Sequence, residues 1–164
     1  MNRKIVFAAF LLIIAVFIFI AGCTQKEITN TLNQSSQQLI IKTGTSFGEC
    51  GGYCKKEFVI TSEKITYIKS SWDGSTPEVR NELVTSSEKW NILINNLKED
   101  KFNSLPEVIG CPDCADGGAE WIEIFDGKTN KKVTFEYGAS ISEIDGLVKE
   151  LREIRNDITT KFDK

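Results

Sequence analysis

Three hydrophobic patterns divide the chain. Residues 5–21 form an unbroken apolar run, residues 24–38 have no apolar periodicity, and from Leu39 onward apolar positions recur at strand or helix spacing. Alternation predicts strands, because successive side chains of a strand point to opposite faces. It marks residues 39–41, 57–62, 64–71, 79–84, 120–125 and 131–137, most clearly at Val133, Phe135 and Tyr137. Ser62-Glu63 and Asp126-Gly127 each separate two such runs and predict hairpins. Trp72-Asp73-Gly74-Ser75 is a turn signal.

Helical spacing follows Ser86-Ser87, a capping pair, with Trp90, Leu93, Ile94 and Leu97 at i, i+3, i+4 and i+7. Lys98 and Lys101 near the end of that helix suit its dipole, and Pro106 blocks continuation beyond Phe102 and Leu105. Ser140-x-x-Glu143 reads as a capping box opening a last helix. Its apolar stripe is Ile144, Leu147, Val148, Leu151, Ile154 and Ile158, and residues 159–164 read as a polar tail. Strands, helix, strands, helix is an order without a regular strand–helix–strand repeat, so a parallel sheet is not expected. The expectation is a single α+β domain over residues 39–158. Its antiparallel sheet has four to six strands, with two helices on one face and the other face partly solvated.

Composition narrows the function classes. Of 164 residues, a domain of about 120 remains after the leader and tether are set aside, enough for its own core. The chain has 20 Lys plus Arg against 23 Asp plus Glu; losing Arg3 and Lys4 with a leader leaves 18 against 23, or minus five. That acidity argues against nucleic acid as a partner. The chain has no histidine. Ser-His-Asp and Cys-His catalysis, histidine zinc sites and imidazole switching are therefore excluded.

The N-terminal pattern carries an address. Arg3-Lys4, the apolar run and Ile20-Ala21-Gly22-Cys23 together resemble the signal peptide and lipobox of bacterial lipoproteins, with Ile in place of the commoner Leu. The resemblance implies a signal peptide over residues 1–22, cleavage before Cys23 and lipidation of Cys23, with palmitate-type acyl chains. The domain would then face outside the cytoplasm, at the cell membrane or envelope. The alternative is an uncleaved transmembrane helix, since 17 apolar residues sit at the lower edge of what spans a bilayer. Arg3 and Lys4 give both readings the same topology. Residues 23–38 read as a lipidated tether of roughly 20 Å reach.

Four cysteines remain, Cys50-x3-Cys54 and Cys111-x2-Cys114. An even count in an exported chain points to two disulfides, with three connectivities open. Cross pairing would close a loop of 56 intervening residues, worth about 4 kcal/mol in the chain-entropy picture. Local pairing is preferred, because a domain of this size with two amphipathic helices does not need that staple. Two other readings compete. Cys50, Cys54, Cys111 and Cys114 resemble a four-cysteine zinc ribbon, although the first knuckle has one residue too many. Cys111-Pro-Asp-Cys114 resembles the redox motif of glutaredoxin-like proteins, but Ala115-Asp-Gly-Gly118 after it cannot open a good helix and no proline follows.

Other motifs fall to simpler explanations. Gly44-Thr-Ser46-Phe-Gly48 has nucleophile-elbow spacing without a histidine, and Ser86-x-x-Lys89 has the companion motifs of penicillin-binding enzymes missing. Asp113, Asp116 and Glu120 beside Gly117-Gly118 lack the alternation and closing Glu of an EF-hand. Trp72 is either an exposed recognition aromatic or a cap on the sheet end, and Trp90 and Trp121 are expected in the core. Phe47-Gly-x-Cys50-x-x-Tyr53 before a hairpin is loosely similar to an uncharacterised domain of exported bacterial proteins. That likeness implies a small α+β domain and no known activity.

These readings converge on an exported, membrane-anchored, non-enzymatic binding module. Its partner would be a protein or envelope component, met through Tyr53, Trp72, Asp113, Asp116 and Glu120 near the cysteine loops. No catalytic residues and no cofactor are expected. The competing class is a thiol–disulfide redox or four-cysteine metal protein, with zinc as its cofactor.

Overall fold

A computed structural model describes residues 39–163; the expected leader, Cys23 and the tether lie outside them. The fold is α+β. Four strands form a meander, β1 (Ile40–Ser46), β2 (Lys55–Ile60), β3 (Lys64–Ser70) and β4 (Val79–Val84). Helices α1 (Ser87–Asn96) and α2 (Glu99–Ser104) then carry the chain from one edge of the sheet to the other. There it makes the short β5 (Val108–Ile109), the hairpin β6 (Ala119–Phe125) and β7 (Asn130–Glu136), and the long α3 (Asp145–Phe162). The sheet order is β4-β3-β2-β1-β6-β7-β5. Every pairing is antiparallel except β5 with β7.

The sheet has seven strands rather than four to six, and three helices rather than two. The additions are β5 and α2, which are too short to show a period; Phe102 of α2 is nonetheless buried. β1 runs to Ser46 through a stretch whose glycines argue for a loop. Its register explains this, because Gly44 stands opposite Trp121 of β6 and Glu57 of β2. A Cβ on Gly44 would lie 2.5 Å from the Lys56 carbonyl and 2.7 Å from the Trp121 ring. Glycine here makes room for the indole.

Strand alternation sends Ile41, Phe58, Ile60, Tyr67, Ile122, Val133 and Phe135 into one core with Leu93, Leu147, Leu151 and Ile154 of the helices. Phe58 and Tyr67, opposite each other in register, stack with ring centroids 4.7 Å apart. Trp90 packs at the edge of this core. Trp121 is buried as expected, but on the opposite face of the sheet, with the Lys132 ammonium 4.4 Å above its ring.

Ser86 caps α1, its Oγ accepting from the Lys89 N–H at 3.2 Å. The Ser140 capping box does not form. A 3-10 turn (Ser142–Ile144) precedes α3, and no side chain caps its first residue. The expected polar tail is also corrected: residues 159–162 complete α3. Beyond them, Asp163 accepts from the Tyr67 hydroxyl, Lys56 and Lys69 at 2.7–2.9 Å. Burial first, then the Asp163 carboxylate, push the Tyr67 phenol well above its ordinary range and keep it a donor.

Candidate functional site: the cysteine-loop end and its cavity

The antiparallel register brings the ends of β1, β3 and β7 and the starts of β2 and β6 to one end of the sheet. Loop 47–54, the turn around Trp72 and loop 110–118 all emerge there. Both cysteine pairs are bonded locally, Cys50 to Cys54 and Cys111 to Cys114, with Cα–Cα separations of 5.7 and 5.5 Å. With the sulfurs joined in pairs, a four-cysteine zinc ribbon has no thiolates to draw on in this state. Among the described residues, no group of three or more His, Cys, Asp or Glu is arranged to hold a metal.

Hydrogen bonds tie the loops together. Asp113 Oδ1 accepts from Gly48 N–H in the first loop and Gly118 N–H in its own, both at 3.2 Å. Trp72 Nε1 donates to the Phe47 carbonyl at 2.6 Å while its residue stays 57% exposed. Phe47 packs edge-on to Tyr137 at 5.0 Å and lies against Gly118, whose positive φ of 82° and missing Cβ admit the ring. Asp113, Ala115 and Asp116 also have positive φ (62°, 51° and 58°), three non-glycine residues in strained backbone within one loop.

All five residues predicted for the binding surface lie at this end, but one of them is not on the surface. Trp72 and Asp116 are exposed, and Tyr53 is half-buried with Lys69 Nζ 4.8 Å over its ring. Asp113 sits there as a structural tie. Glu120 is the correction: it is fully buried on the helix face of β6. Its carboxylate accepts from Arg152 Nε and Nη2 at 2.5–3.1 Å, from Arg155 Nη2, and from Gly138 N–H at 2.9 Å. Burial pushes this carboxyl up, but the Arg152 hydrogen bonds, the Arg155 charge and the Gly138 N–H outweigh it. They hold the group below the ordinary carboxylate range. Arg155 also donates from Nη1 to Thr43, whose hydroxyl donates to the Trp121 carbonyl at 2.9 Å.

This arginine–glutamate–arginine group forms the inner wall of a cavity of about 420 Å³ between α3 and the sheet. Phe47, Phe58 and Tyr137 supply its apolar side. Lys56 adds a third cation, and Thr45, Asn156 and Thr159 add neutral polar groups. A second hollow of about 290 Å³ borders the exposed Cys111–Cys114 disulfide, with Glu136 and Tyr137 on its rim. Arg155 was discoverable in the sequence, since it occupies an apolar-stripe position four residues after Leu151 and three before Ile158. Phe47 and Tyr137 stood out only as a motif residue and an alternating strand position, and Arg152 gave no signal. Among the described residues, no helix is long and apolar enough to cross a membrane. The chain matches no protein-family model and no curated sequence.

Proposed function

We propose that this chain is an exported protein, lipid-anchored at Cys23, whose domain is a non-enzymatic binding module for a protein or envelope component. The observation that carries the binding reading is the convergence at one sheet end of two disulfide-closed loops, exposed Trp72 and a cavity of about 420 Å³. Loops held by Asp113 and by short disulfide rings lose little freedom when a partner docks, which favours affinity. An exposed Trp anchored through its own N–H is the kind of rigid aromatic that dominates binding energies. Export is supported by the lipobox and by disulfides, which persist outside reducing compartments.

Photo-crosslinking residues placed at Trp72 and Asp116 in intact cells should both trap the same discrete envelope component. One placed at Lys128, in the β6–β7 turn at the opposite end, should trap none. Equal labelling from both ends would remove the loop end from consideration.

A redox reading keeps one specific observation. The Cys111–Cys114 disulfide is exposed, borders a hollow and lies in strained backbone. An incoming thiolate attacking either sulfur would form a mixed disulfide and release the other cysteine as thiolate. In the reverse direction, the one thiol left in a Cys111→Ser or Cys114→Ser chain would attack a partner's disulfide and displace one of its sulfurs as thiolate; capture of that mixed disulfide would favour this class.

A further inference from the structure

We propose that the cavity beside α3 binds an oxyanion, a carboxylate or a phosphate, carried on a compact apolar body. This deepens the binding-module reading and rests on it. Charge is the first argument. Lys56, Arg152 and Arg155 line the cavity against the single carboxylate of Glu120, a local excess of two positive charges on a chain whose net charge is negative. Lys56 is shared with Asp163, which does not line the cavity and is itself shared with Lys69.

Unspent donors are the second argument. A guanidinium has five N–H groups. Arg152 uses Nε and Nη2 on Glu120 and the Ala139 carbonyl, and Arg155 uses Nη1 and Nη2 on Thr43 and Glu120. Arg152 Nη1 and Arg155 Nε have no hydrogen-bond partner among the described residues. Yet the only buried side-chain polar atom there without a partner is Thr85 Oγ1, so these arginine donors are not sealed in protein. Arg155 is only 7% exposed, and it lines the cavity. Glu120, saturated by four donor groups, holds both guanidinium planes in place without using up their charge.

Shape favours the same ligand. A cavity of about 420 Å³ falls within the small-ligand range of about 300–1,000 Å³. Its aromatic wall of Phe47, Phe58 and Tyr137 offers faces and edges to an apolar body whose anionic end meets the arginines.

The test titrates the full chain in detergent with benzoate, phenyl phosphate and neutral benzamide, following the arginine Nε–H resonances. At least one anion should bind about tenfold tighter than benzamide or better, and should shift the Arg152 and Arg155 signals. The preferred anion assigns carboxylate or phosphate. Arg152→Gln should weaken it about tenfold. Asn156→Trp, which fills the cavity mouth and leaves the Glu120 group intact, should do the same with the folded spectrum retained. Equal binding of benzamide, unmoved arginine signals, or full binding by Asn156→Trp would overturn the proposal. If the anions fail while Trp72 still crosslinks its partner, this inference falls alone; if both fail, the binding-module reading falls with it.

Discussion

Glu120→Ala should destabilise the domain by about 3–5 kcal/mol, because it leaves a buried guanidinium without its counter-charge. Arg155 is the group stranded: it is nearly buried, and after Glu120 its one remaining side-chain partner is the Thr43 hydroxyl. Against a total stability of about 5–15 kcal/mol this is a large fraction, equivalent to a fall in Tm of about 10–20 °C. Glu120→Leu combined with Arg155→Met should recover part of the loss, since the buried Arg155 charge leaves with its partner and Arg152, 31% exposed, can turn to solvent. Thermal and urea unfolding of the single and double variants checks this. A single variant within about 0.5 kcal/mol of the parent would mean that the buried pair contributes little.

The same group sets an acid limb. The Glu120 carboxyl is depressed in the folded state relative to the unfolded chain. Its contribution is therefore complete above the ordinary carboxylate range and is lost as pH falls through the depressed folded value. Asp163 adds a contribution of the same sign. Partial burial raises it, and hydrogen bonds from Lys56, Lys69 and Tyr67 outweigh that and lower it. In the Glu120→Leu, Arg155→Met chain the acid limb of the stability curve should flatten.

Gly44→Val is the second large effect. The new Cβ meets the Lys56 backbone carbonyl of β2 on one side and the Trp121 ring on the other. The carbonyl belongs to the ladder and cannot move without disturbing strand pairing, and the indole is buried under Lys132. Overpacking at such a site costs about 3 kcal/mol, a fall in Tm on the order of 10 °C. Gly44→Val with Trp121→Ala should be milder than the sum of the two single changes, because the clash and the filled space are the same volume. Strict additivity by calorimetry would show that Trp121 does not require the glycine.

What could be read from the chain follows the range of the forces involved. The α3 stripe, the Ser86 cap, both hairpins and the local cysteine pairing are set by residues close in sequence, and alternation or spacing revealed them. β1 beyond Thr43 was not legible, because Gly44 is in a strand on account of Trp121, 77 positions away. The same applies to Asp163, which looks like tail until Tyr67 and Lys69 arrive beside it. At the site, the loop end was legible from its glycines and cysteines. The cavity was not, because Glu120 reads as part of the binding surface until β6 pairing turns it toward Arg152 and Arg155.

The proposed domain is exported, acylated at Cys23 and closed by two local disulfides. Intact mass of the protein from its native membrane, with alkylation before and after reduction, tests all three together. The predicted result is cleavage before Cys23 with an acyl mass, four added alkyl groups only after reduction, and digest peptides linking Cys50 to Cys54 and Cys111 to Cys114. Free thiols before reduction, a retained zinc mass in the native spectrum, or an intact Met1 would contradict it and shift the cysteines or the anchor to the competing readings.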